Sequence, residues 1–148
     1  MNFKRDQSSL PEADVIRRQH YIPVEIYRFA VKQQLENTTV PGRGRQNVPT
    51  LTDIYFQLIT EGLNLVEKKK AKPVFKEIGR PEGCRSCQIK FTKEPGSVNA
   101  RIKTIKARAD AGEFKVEPYK EISLISVAVT LMKVGIKKMD PDFYKQYF

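Results

Sequence analysis

The chain has 148 residues, 40% of them hydrophobic, and a formal net charge of +10 from 27 Lys and Arg against 17 Asp and Glu. That length supports one ordinary domain with a real core, and the charge favours a polyanionic partner, either nucleic acid or an anionic membrane surface. No apolar run approaches the roughly 18 residues that suggest a membrane span, and Cys84 and Cys87 alone do not make a disulfide scaffold.

Residues 1–13 are polar and lack the apolar segment of a signal peptide, so a cytoplasmic, nucleoid-associated protein is expected. The segment reads as a flexible arm, with Lys4 and Arg5 placed to touch a polyanion. A polar strand follows, from about Val15 to Ile22. Alternation puts Arg17, Gln19 and Tyr21 on one face, with Ile16, Arg18, His20 and Ile22 on the other. The alternative is a helix that starts upstream and is kinked at Pro23. Proline suits the first turn of a helix, because its missing N–H needs no partner there. A helix is therefore expected from Pro23 to about Asn37, with Val24, Tyr27, Ala30, Val31 and Leu35 as its stripe.

The stretch from Asn37 to Asn47 holds Pro41, Gly42 and Gly44 and breaks that helix. Arg43 and Arg45 in this loop are candidate phosphate ligands. The second helix runs from Thr50 or Thr52 to about Glu67, and its three-four apolar rhythm is the clearest in the chain. Thr50 and Thr52 are candidate N-caps, and Asp53 suits the positive end of the dipole. Residues 68–83 read as a basic linker. The lysine run there also fits a helix C-terminus.

The second strand, about Arg85 to Phe91, alternates cleanly: Cys87, Ile89 and Phe91 against Ser86, Gln88 and Lys90. Pro95-Gly96 marks a turn, and Ser97 caps a helix to about Ala111, with Gly112 ending it. The last helix is expected from about Pro118 to Lys138 and is apolar nearly all round, as a buried helix is. Its many Val and Ile residues also permit a β reading, but its length favours helix. The tail, residues 139–148, carries four aromatic residues that either pad the core or bind a second copy.

Self-comparison suggests a repeat. Ile22 precedes Pro49 by 27 residues, and Phe91 precedes Pro118 by the same distance. Leu58-Ile59-Thr60-Glu61-Gly62-Leu63 resembles Leu131-Met132-Lys133-Val134-Gly135-Ile136. The offset is 69 residues between the strands and 73 between the helices, which assigns the later helix about one extra turn. The first helices of the two units do not superpose well at the strand offset, since Phe29 would meet Val98 and Tyr27 would meet Gly96. The expectation is two units, residues 14–67 and 84–138, folded together as one domain.

This pattern resembles the ribbon-helix-helix family of DNA-binding proteins. The residues that carry the likeness are the polar strand ending in Ile22-Pro23, the opening Val24-Glu25-Ile26-Tyr27, and the helix from Thr50-Leu51-Thr52-Asp53-Ile54 to Glu61-Gly62-Leu63. The second unit departs from it, because Thr92 replaces the proline and the turn Lys93-Glu94-Pro95-Gly96 intrudes. The resemblance implies a mostly α fold with a short antiparallel ribbon, pseudo-dimeric within one chain, as in tandem forms among conjugation and plasmid accessory proteins. It implies that Arg17, Gln19 and Tyr21 together with Ser86, Gln88 and Lys90 read bases in the major groove of double-stranded DNA. Glutamine matches adenine and the cations match guanine. It further implies that the helix N-termini near Thr50, Thr52 and Ser123 hold phosphates.

The expected role is a sequence-specific repressor or a nucleoprotein accessory factor of a mobile element, without catalysis, cofactor or metal. The rivals are a small basic protein that binds or inhibits another protein through Phe143 to Phe148, and a nucleic-acid enzyme. Cys84-Arg85-Ser86-Cys87 offers only half a zinc site, with His20 as the one further ligand of that type. It precedes a strand, not the helix N-terminus that activates a redox thiol. No phosphate-binding glycine loop and no metalloprotease or serine-hydrolase motif occurs.

Overall fold

The structure, a computed structural model, describes Phe3 and residues 15–38, 48–78, 83–92, 97–118 and 121–148. In chain order these form β1 (Val15–Pro23), α1 (Val24–Thr38), α2 (Leu51–Glu67), β2 (Phe75–Lys76), β3 (Cys84–Thr92), α3 (Val98–Asp110), β4 (Val116–Glu117), α4 (Leu124–Met139) and α5 (Pro141–Tyr147). The chain is mostly helical with a short antiparallel ribbon, as the sequence led us to expect. Among the described residues there are also a fifth helix and a second, parallel sheet of β2 and β4, neither of which was expected.

The ribbon is β1 paired antiparallel with β3. Gln19 lies directly opposite Gln88, with Arg17 opposite Lys90 and Tyr21 opposite Ser86. The apolar pattern fixes this register. Ile22, Cys87, Ile89 and Phe91 are buried beneath the ribbon, and a slip of one residue would turn such side chains to water. Pro23 closes β1 and α1 begins at the next residue, so strand passes into helix with no loop. Helix α1 buries Ile26, Phe29 and Ala30. Phe3 and Phe143 both meet Phe29 edge-on, at 6.4 and 5.1 Å between ring centroids.

Helices α2 and α4 cross at the centre of the core. Their contact is reciprocal: Gly62 lies against the backbone of Leu131, and Gly135 against that of Leu58. A Cβ on Gly135 would sit 2.6 Å from the Leu58 carbonyl oxygen, and one on Gly62 would intrude further on that of Leu131. Only glycine lets the two backbones approach this closely.

Three expectations about boundaries are corrected. Helix α4 starts at Leu124, not Pro118, because Val116 and Glu117 are taken up in pairing with β2 and Ser123 supplies the cap. The supposed linker 68–83 carries β2, whose Phe75 is fully buried and meets Phe114 at 5.2 Å. The tail folds as α5, capped by the Asp140 carboxylate, which accepts from the Phe143 N–H at 3.1 Å.

The repeat offsets also resolve differently. The caps Thr50 and Ser123 are 73 apart, as are Gly62 and Gly135. The buried positions 26, 30, 33 and 37 of α1 each lie 72 before the buried positions 98, 102, 105 and 109 of α3. Of the four residues gained over the strand offset of 69, three therefore fall between β3 and α3 and the fourth between α3 and α4. The last helix gains no turn: α4 has 16 residues and α2 has 17.

Candidate nucleic-acid interface

Of the six residues expected to read bases, five are described on an open surface. Arg17, Gln19, Tyr21, Ser86 and Gln88 are exposed, Tyr21 at 58%. The Ser86 hydroxyl donates to the Gln19 carbonyl oxygen Oε1 at 3.2 Å, across the ribbon. That bond leaves the amide NH₂ of Gln19 as the outward donor.

Lys90 is the correction. Its side chain is only 3% exposed, and its ammonium lies 4.5 Å from the Phe56 ring of α2. Burial holds its pKa below the ordinary lysine value. Alternation assigned it to the outer face, but a long stem can fold back over apolar surface, which no period-two pattern predicts.

Two arginines were missed. Arg18, assigned to the inner face, is exposed, and so is Arg85, whose guanidinium lies 3.9 Å over the Tyr27 ring. His20, also on the inner face, is half-buried and meets Phe91 edge-on at 6.0 Å. Burial, and after it the Arg18 charge, pulls its pKa down. Beneath the ribbon the Tyr55 hydroxyl donates to Cys87 Sγ at 3.3 Å. Burial pushes both the Cys87 and Cys84 thiols up, which is the opposite of what a reactive pair needs.

The helix N-termini near the expected phosphate sites are capped by side chains of the protein itself. At the start of α2, Thr50 and Asp53 form a reciprocal cap: the Thr50 N–H donates to Asp53 Oδ2 at 2.8 Å, and the Asp53 N–H to Thr50 Oγ1 at 3.1 Å. The Asp53 carboxylate repels a phosphate at that end. Thr52 instead donates its hydroxyl to the Gln88 carbonyl at 3.2 Å, tying α2 to the ribbon.

At the start of α4 the anion is Glu77. Its carboxylate accepts from the Ser123 N–H at 2.9 Å, the Ser123 hydroxyl at 2.8 Å and the Ser126 hydroxyl at 2.9 Å. The Ile78 N–H donates to Ser126 Oγ at 2.9 Å and holds the group together. The N-terminus of a helix attracts an anion, and at α4 that anion is a carboxylate of the protein itself. Arg43, Arg45, Lys4 and Arg5 lie outside the described residues.

Elsewhere part of the basic charge is paired internally. Arg101 of α3 binds Glu67 and the Asn64 side chain of α2. Arg108 pairs with Glu113, Lys106 with Asp110, and Lys138 with Glu61. In the tail, Phe143 pads the core, whereas Tyr147 and Phe148 remain exposed. Among the described residues no helix is long and apolar enough to cross a membrane, and no cluster of three potential metal ligands occurs. Comparison with protein-family models, with curated proteins and with solved structures found no match to this chain.

Proposed function

We propose that this protein binds double-stranded DNA by laying the β1–β3 ribbon in the major groove, in the manner of a ribbon-helix-helix pseudo-dimer contained in one chain. The observation that carries the reading is the direct pairing of Gln19 with Gln88 at the middle of an exposed two-stranded ribbon. A two-stranded ribbon fits the major groove, and glutamine can pair bidentately with adenine. Arg17 supplies a cation on the face of the glutamines, Arg18 and Arg85 are exposed along the other face of the ribbon, and the net charge of +10 suits a phosphate lattice. The symmetric register, the reciprocal glycine contacts and the 72–73 residue offsets all support a duplicated unit. The fifth helix and the β2–β4 sheet are additions to that arrangement.

The ribbon sits on a packed core, which holds the two amides at a fixed separation. It is not symmetric in its side chains. Arg17 in β1 corresponds to Ser86 in β3, and Tyr21 to the buried Lys90, so the preferred site is an imperfect palindrome. No catalytic step is assigned. The role is repression of transcription, or organisation of a nucleoprotein complex on a mobile element.

A gel shift against mixed genomic fragments tests the proposal. Wild-type protein should retain a subset of fragments, and Arg17→Ala/Gln19→Ala/Gln88→Ala should bind all fragments alike and weakly. Fragment selection that survives the triple substitution would remove the ribbon as reader.

A further inference from the structure

A second basic feature lies on residues that contribute nothing to the ribbon. The end of α2, the segment around β2, and the helices α4 and α5 line a half-open cleft of about 820 Å³. That is within the range of small-molecule sites, about 300–1,000 Å³. Lys70, Lys72, Lys76, Lys133 and Lys137 line it, and none of them forms a salt bridge among the described residues, although the Glu113 charge reaches Lys72 and the Glu25 charge reaches Lys133. A sixth lysine, Lys138, is held by Glu61. Among the described lining residues the one carboxylate, Glu117, carries Lys115 at 3.2 Å.

Lys133 is half-buried. Burial and the neighbouring Lys76 hold its pKa below the ordinary lysine value, although Glu25 and Cys84 act the other way. Cations gathered in a concave, partly desolvated wall repel one another, and an entering anion relieves that repulsion.

The cleft also has an aromatic wall. Tyr144 and Phe148 lie 5.5 Å apart between centroids and tilt by 34°. Lys133 stands 5.3 Å from the Phe148 ring and Lys137 5.4 Å from the Tyr144 ring. Flat apolar surface and ammonium charge therefore alternate at one mouth. Leu65, Ala71, Pro73, Val74 and Val134 add apolar surface to the lining.

We propose that this cleft binds a small phosphorylated ligand bearing an aromatic ring, of the nucleotide class. The phosphates neutralise the lysines and the ring lies on Tyr144 and Phe148. A DNA duplex is a convex rod and cannot enter a concavity of this size. An acidic peptide would meet the charge and leave the rings unused.

The test is calorimetric titration of the full chain at about 150 mM salt, where exposed charges are screened beyond about 8 Å. The probes are adenosine triphosphate, inorganic tripolyphosphate, adenosine and a short polyglutamate peptide. Adenosine triphosphate should bind at least about tenfold more tightly than the other three, about 1.4 kcal/mol. Lys72→Ser/Lys76→Ser/Lys137→Ser, all at exposed positions, should weaken it by at least about tenfold. Tyr144→Leu/Phe148→Leu should reduce it to the level of tripolyphosphate and leave tripolyphosphate itself unchanged. The ribbon triple variant should bind adenosine triphosphate as wild type does, so failure here and failure of the DNA reading are distinguishable. Equal binding of tripolyphosphate or polyglutamate, or wild-type affinity in the lysine variant, overturns the proposal.

Discussion

At the residue scale, Gln19 and Gln88 are set apart from the core by exposure and from the rest of the surface by register. Because both side chains face water, substituting either by Ala should change stability by no more than about 0.5 kcal/mol. The same change should reduce discrimination between cognate and altered DNA sites by about 1–3 kcal/mol. Thermal unfolding alongside titration of the two sites separates these effects. Glu77 makes the opposite case, a residue whose whole effect is on folding. Its carboxylate accepts three bonds at the start of α4, and bonds to a charged group contribute about 1.5–3 kcal/mol. Glu77→Ala should therefore lower stability by about 2 kcal/mol in urea titration. Burial alone would raise its pKa, but the bonds from Ser123 and Ser126 and the Lys106 charge outweigh it, and the net shift is downward. A carboxyl lowered on folding adds stability above its unfolded pKa, about 4.3, and loses it as pH falls through the folded value. Wild-type protein should accordingly lose more stability than Glu77→Gln across that acid range.

At the element scale, the crossing of α2 and α4 depends on two glycines that face each other's helix backbone. Alanine at either must drive backbone from backbone, a rigid displacement that side-chain rotation cannot absorb. Gly62→Ala or Gly135→Ala should cost about 3 kcal/mol or more, at the upper end of overpacking penalties. Urea midpoints should show this, and Gly83→Ala is no fair control because Gly83 has a positive φ of 73°. The elements differ in how far the chain alone revealed them. The ribbon, α1, α2 and α3 were legible to within a residue or two, since alternation, capping residues and Pro23 each mark a boundary locally. The β2–β4 pairing was not legible. Two residues on each strand carry no period, and their partners lie 41 positions apart. The start of α4 was misplaced for the same reason: Pro118 looks like a helix opener until Glu117 is seen to pair with Lys76. Within the site, exposure of the glutamines followed from alternation, but burial of Lys90 depends on Phe56, and capture of the α4 terminus depends on Glu77. Both are long-range contacts that no local pattern encodes.

At the scale of the whole molecule, the charge of +10 is unevenly available. Arg101, Arg108, Lys106 and Lys138 are engaged in ion pairs on the helices, whereas Arg17, Arg18 and Arg85 stand on the ribbon. If about six phosphates are neutralised on binding, the logarithm of affinity should fall against the logarithm of salt with a slope of about −5. Removal of Arg17 and Arg18 together should bring that slope about two units closer to zero. A slope near zero for the wild type would leave the net charge without a role in binding. The central claim is that the ribbon enters the major groove with Gln19 and Gln88 at its middle. The measurement that tests it most directly is groove-specific interference on a fragment retained by the wild-type protein. Methylation of guanine N7, which projects into the major groove, should block binding within the protected site, and a drug that fills the minor groove should leave binding intact. Binding that tolerates N7 methylation throughout the site and is displaced by the minor-groove drug would contradict the account.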